Sequence, residues 1–180
     1  CTVAGLDFNT AGYQLVSLTY EDYSIYFGVL IDVKSISVTV LGDAVHDVTT
    51  DNVHTLAGNN LTKWAEATVV VDKDAKALDA FDAACDAYGL SYVAADSNYG
   101  GKYISSVTSA SGVTLTDKSN KQSDGKSYSG WMFTVDGTTP STAIDQTNVT
   151  SSLVVYFEDD YNLAYVQSVI DAIDALPTPA

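Results

Sequence analysis

The amino-acid sequence predicts an α+β protein in which a mixed β-sheet packs on one helix. Stretches rich in β-branched and aromatic residues lie on both sides of one well-marked helix, and an aromatic strand runs into an Asp-Gly turn at Ser129 to Gly137. The apolar fraction of 46% over 180 residues suits one domain of ordinary size with an appended element.

Tyr13 to Tyr20 and Ser24 to Val33 flank a polar Glu21-Asp22 break, which reads as a hairpin. In Ile36 to Leu41 apolar and hydroxyl residues alternate with period two, as expected for a strand with one buried face. Gly42 to Lys63 is polar and irregular. Ala65 to Val71, ending in three valines, reads as the second strand of the main unit.

Asp74 is placed to cap a helix that runs to about Tyr88, because its carboxylate can accept an otherwise unsatisfied amide proton. Leu78, Phe81, Cys85 and Tyr88 fall on one stripe, and Asp79, Asp82 and Asp86 face outward. Gly89 supplies the stop, since it takes the left-handed conformation without strain. Short strands are expected at Leu90 to Val93, Lys102 to Thr108 and Val113 to Thr116, with Tyr99-Gly100-Gly101 as a turn. Asp136-Gly137 should reverse the chain into a hairpin, because both central positions of such a turn need positive φ.

The tail differs in kind. Leu163, Val166, Ile170, Ile173 and Leu176 form a helical stripe that ends at Pro177-Thr178-Pro179, which reads as a helix followed by a semi-rigid linker. The organisation expected is therefore an N-terminal β-hairpin extension over 1–34, the main domain over 35–161, and a C-terminal helix and linker over 162–180.

The net charge of −15 and the absence of arginine argue against nucleic acid as a partner. Lys118, Lys121 and Lys126 are diluted by Ser, Asp and Gly, as in a solvated loop. An acidic surface rich in Asp, Ser, Thr and Tyr suits an extracellular protein and attracts divalent cations. No run approaches the ~20 apolar residues of a membrane span. Two cysteines make no disulfide scaffold: Cys85 reads as a buried thiol. Cys1 is either a lipid-anchor position or simply where this stretch begins, and Thr2 to Leu6 lack the polar tether an anchor needs.

Two strands, a capped helix and short strands closing on a Trp-bearing hairpin are the order of a β-grasp, in which a mixed sheet curls around a single helix. The stretches Val69 to Phe81, Gly100 to Ile104, Ser129 to Gly137 and Leu153 to Phe157 together resemble the transcobalamin C-terminal-like domain family, over roughly Ser35 to Tyr161. The resemblance implies a β-grasp domain of largely unknown function, found in secreted or cell-wall proteins of Gram-positive bacteria. In animal relatives such a domain closes over cobalamin as one half of a two-domain clamp. The all-α partner of that clamp has no counterpart here, so cobalamin binding by this chain alone is not the expectation. The family's usual Asn-Gly turn is Asp136-Gly137, a change expected to matter little.

Several residue groups offer chemistry. The only two histidines, His46 and His54, share a loop with Asp43, Asp47 and Asp51, a donor set suited to a divalent metal such as zinc, although the spacing matches no established motif. Glu158-Asp159-Asp160, or Asp72 with Asp74, could supply oxygens for calcium, but no EF-hand loop is present and they read first as strand ends and a helix cap. Tyr103, Tyr128 and Trp131 offer an aromatic platform for a sugar or a corrin face, while a strand tryptophan also reads as core. Lys34, between two β stretches, is the candidate for an isopeptide bond.

The markers of nucleophilic, phosphoryl-transfer and zinc-protease enzymes are missing. The function expected is a non-enzymatic binding or spacer module, with an unknown surface ligand or neighbouring modules as partners. The alternatives are capture of a corrinoid or other planar ligand, and metal binding by the histidine loop.

Overall fold

The computed structural model describes residues 1–43, 61–117, 129–159 and 163–179. Strands Thr2–Ala4 (β1), Gly12–Tyr20 (β2) and Tyr23–Ile31 (β3) form an antiparallel sheet in the order β1-β2-β3, with Glu21 at φ 52° in the turn between the last two. Val33–Asp43 (β4) and Leu61–Asp72 (β5) lead into helix Ala77–Tyr88 (α1). Ser91–Asp96 (β6), Lys102–Thr108 (β7) and Thr114–Thr116 (β8) make a second antiparallel sheet. Ser129–Val135 (β9), Ser152–Asp159 (β10) and helix Leu163–Asp171 (α2) complete the chain, which is α+β, mostly sheet, with one main helix.

The central sheet has the order β5-β4-β10-β9. β4 and β10 run parallel side by side, Val38 beside Leu153 and Val40 beside Val155, and the outer strands are antiparallel to them. Ile36, Val38, Val40, Val69, Leu153, Val155 and Phe157 point to one face and pack against α1. A bulge between Val40 and Leu41 leaves Trp64 as the extra residue of β5. It puts Lys63 and Glu66 on one face, where the buried ammonium meets the carboxylate at 2.5 Å.

The buried stripe of α1 is Ala77, Ala80, Phe81, Ala84 and Cys85, the i, i+3, i+4, i+7, i+8 pattern of a core-facing helix. The expected stripe was centred too far round: Leu78 and Tyr88 are half-buried flanks, and alanines at the centre let the helix backbone approach the sheet. Asp79, Asp82 and Asp86 are exposed, as expected.

Asp74 does not cap the helix, which starts after Lys76. The Asp79 carboxylate accepts the Lys76 N–H at 2.7 Å, and Asp74 donates its own N–H to Asp72 at 2.9 Å. The first free amides of the helix, those of Ala77 and Leu78, go to the carbonyls of Thr147 at 2.9 Å and Ile144 at 3.1 Å. At the other end Gly89 is left-handed at φ 64°, and Leu90 N–H returns to the Cys85 carbonyl at 2.9 Å.

The expected single buried face of the sheet is also revised. α2 covers part of the opposite face, where Val166 and Val169 close over Leu41, Leu61 and Tyr156, with Ile170, Ile173 and Leu176 beside them. Among the described residues no helix is long and apolar enough to cross a membrane.

The Asp136-Gly137 turn forms as expected, at φ 50° and 76°, but its hairpin is a single bridge between Val135 and Thr138. Pro140 follows at once and has no amide to extend a ladder. The chain instead makes an excursion over 139–151 before β10 returns beside β9. Lys34 donates to the main-chain carbonyl of Ala75 at 2.8 Å, which is not a side-chain carboxyl or amide with which an isopeptide could form.

Candidate functional site

A cleft of about 440 Å³ opens between the start of β7, the middle of β9 and the 139–146 segment. Its first wall is the turn Ser97 to Gly101, closed by the Ser97 amide on the Gly101 carbonyl at 2.8 Å and by the Tyr99 amide on the Ser97 hydroxyl at 3.1 Å. Gly100 and Gly101 sit at φ 90° and 75°, where a side chain is strained. At Gly101 space forbids one as well: a Cβ would overlap Ala143 and crowd Asp145 and Gln146. The turn thus presents Tyr99 on its tip, fully exposed, with Tyr103, 41% exposed, as the second residue of β7.

The second wall is the 139–146 segment, pinned to the first by Asp145, which accepts the Lys102 amide at 2.7 Å. Thr147 holds its own base by donating its hydroxyl to the Ala143 carbonyl at 2.8 Å, and Ile144 is buried beneath. The carbonyls of Ile144 and Thr147 are those that cap α1, so the wall is anchored to the helix N-terminus.

The floor is β9. Trp131 is 7% exposed, its indole N–H donates to the Leu115 carbonyl at 3.0 Å, and its ring stands edge-on to Phe157 at 5.4 Å and tilted to Trp64 at 5.7 Å. The tryptophan weighed both as platform and as core is therefore placed in the core, beneath the cleft. Met132 and Phe133, half-buried, lie beside it.

One knot holds the frame together. The Asp136 carboxylate accepts the Thr150 hydroxyl at 2.6 Å, the Ser151 hydroxyl at 2.7 Å, and the amides of Ser151 and Ser152, both at 2.9 Å. Burial pushes this carboxyl up, and the hydrogen bonds outweigh it and hold the group well below the usual carboxylate range. Aspartate is therefore not a neutral replacement for asparagine, as the sequence suggested: the turn accepts either residue, but both Asp136 oxygens accept here, which an amide cannot do.

Among the described residues, the titratable side chains lining the cleft are Tyr99, Lys102 and Tyr103. The hydrogen bond and charge of Asp96, 2.9 Å from Lys102 Nζ, raise the lysine's pKa and keep it cationic. Among the described residues no carboxylate lines the cleft. The described side chains can stack and hydrogen-bond a ligand, and they include no nucleophile–base pair.

Of the other sequence candidates, Asp43 ends β4, and His46, Asp47, Asp51, His54 and Tyr128 lie outside the described residues. Asp160 does also. Asp72 spends its carboxylate on the Asp74 amide. Among the described residues no group of three or more His, Cys, Asp or Glu side chains is arranged to hold a metal. Tyr99 and the 139–146 wall were not singled out from the sequence; the paired glycines after Tyr99 were the available signal, because they mark a turn that displays its tip.

One protein family, described as a domain of unknown function (DUF4430), matches residues 74–158. That span takes in α1, the second sheet, both walls of the cleft and most of β10. No curated protein and no solved structure matches the chain significantly.

Proposed function

We propose that this chain is a non-enzymatic binding module of the β-grasp type, carried by a secreted or cell-surface bacterial protein, and that the cleft receives its ligand. The observation that carries the reading is that two exposed tyrosines, Tyr99 and Tyr103, line one cleft above the β9 floor, with no acid–base pair among the described residues that line it. Flat rings on a glycine-hinged turn offer stacking area at low entropic cost, which suits a planar or flat-faced ligand.

The order β5-β4-β10-β9, with first and last strands parallel at the centre and one helix across the face, supports the β-grasp description. The match to a domain of unknown function over 74–158 is in keeping with the resemblance to transcobalamin C-terminal-like domains. The net charge of −15 supports an extracellular setting and disfavours anionic ligands. Neutral oligosaccharides and corrinoids are thus the two ligand classes to try.

A thermal-shift screen of the full chain with cobinamide, cobalamin and neutral oligosaccharides tests the reading, because a ligand that binds only the folded state raises the melting temperature by mass action. A saturable rise with one class supports it. No rise with any of them favours a spacer instead.

A further inference from the structure

β3 is the outer strand of the N-terminal sheet: β2 pairs with it along its whole length, and among the described residues no strand pairs with its other edge. Tyr23–Ile31 holds no charge and no proline, the devices by which proteins blunt an open edge. From Tyr23 to Gly28 it is exposed on both faces, Tyr26 at 67% on one and Ile25 at 62% on the other, while Val29 is half-buried and Ile31 buried. An uncharged apolar edge of nine residues stands out on a chain of net charge −15.

The two-residue turn Glu21-Asp22 closes on the pair Tyr20 and Tyr23, and bonded and non-bonded pairs alternate from there. That alternation turns the N–H and C=O groups of Ser24, Tyr26, Gly28 and Leu30 away from β2.

We propose that two copies of this chain join through β3, antiparallel and two-fold symmetric about Phe27. In that register the outward groups of Tyr26 meet those of Gly28 of the second copy, and those of Ser24 meet Leu30. The side chains agree with the backbone. Ile25 lies opposite Val29, Phe27 opposite its own copy, and Tyr26 covers Gly28, where a side chain would meet nothing within 4 Å. Asp32, which falls opposite Asp22 of the second copy, is already ion-paired with Lys73 of its own chain. The contact is self-complementary and closed, and it removes the uncharged β3 edge, so that β1 and residues 12–16 of β2 form the outside of the joined sheet.

Sedimentation equilibrium of the full chain over a range of concentrations, in low and in high salt, tests this. The expected result is a monomer–dimer equilibrium that tightens as salt screens the net charge of −15 on each copy. Ile25→Lys and Tyr26→Lys should each weaken association by roughly tenfold or more, while Tyr13→Lys on β2 changes it less than about twofold. Far-UV circular dichroism checks that each variant is folded. Independently, Phe27→Cys in a Cys1→Ser background should give a disulfide-linked dimer on mild oxidation, and Tyr20→Cys should not. A monomer at every concentration in both salts, equal weakening by Tyr13→Lys, or growth into larger open assemblies overturns the proposal.

Discussion

Asp136 and Ser151 meet twice: the carboxylate takes the serine hydroxyl at 2.7 Å and its amide at 2.9 Å. The contact joins the turn after β9 to the start of β10 and closes the 139–151 excursion into a loop. Because carbonyls of that loop cap α1 and its outer part walls the cleft, one carboxylate ties together turn, helix end and candidate site.

Asp136→Asn should keep the turn, since Asn-Gly also accepts positive φ, but it aims an amide NH₂ at groups that donate. The expected cost is about 1–3 kcal/mol in urea unfolding. The sign with pH follows from the lowered pKa: the stabilisation is present above the unfolded carboxyl's pKa of about 3.9 and is lost as pH falls through the folded value. The gap between wild type and variant should therefore be steady near neutral pH and narrow below about pH 4.

Trp131→Ala removes a core ring that touches Phe157 and Trp64 and should cost about 3–5 kcal/mol. Trp131→Phe keeps much of the packing and leaves the Leu115 carbonyl without its donor, for a smaller loss of about 1–3 kcal/mol. Denaturant unfolding of both variants checks the order.

Cys85 is buried, and burial together with the Asp82 and Asp86 carboxylates pushes its thiol up to about 12. It should not react with a thiol reagent near pH 8 in the native protein, whereas the exposed Cys1 should. Quantitative thiol titration should then find one reactive group in the native chain and both in denaturant.

Much of the frame was legible in the sequence because local chemistry and tertiary structure agree there. β7 falls on Lys102–Thr108 as expected, and Gly89 ends α1 in the left-handed conformation. Period-two and glycine signals act over a few residues, and a single sequence displays them. The helix start was misread because Asp74 has cap chemistry, while the real partners of the first amides lie some seventy residues along, at Ile144 and Thr147. The 139–146 wall has no periodicity, being built from main-chain carbonyls and short hydroxyl side chains. Its role exists only once Gly101 and Asp145 are brought together.

Gly101→Ala tests that meeting directly. A methyl group there is strained by φ 75° and overlaps Ala143, so the wall must shift, with a loss of roughly 1–3 kcal/mol. Gly100→Ala is the control, since its φ of 90° is as unfavourable but nothing lies within 4 Å of the added atom. Amide chemical shifts of 139–146 should move in the first variant and stay in place in the second.

Ligand binding in the Tyr99/Tyr103 cleft is open to direct measurement. Isothermal titration of the full chain with cobinamide and with neutral oligosaccharides, repeated on the Tyr99→Ala/Tyr103→Ala double variant, tests it most directly. Both rings are exposed, so the variant should keep its melting temperature within a few degrees. The expected result is saturable binding of one class by the wild-type chain, weakened about tenfold or more in the variant. Binding that survives unchanged in the variant, or no heat from either class, would contradict it.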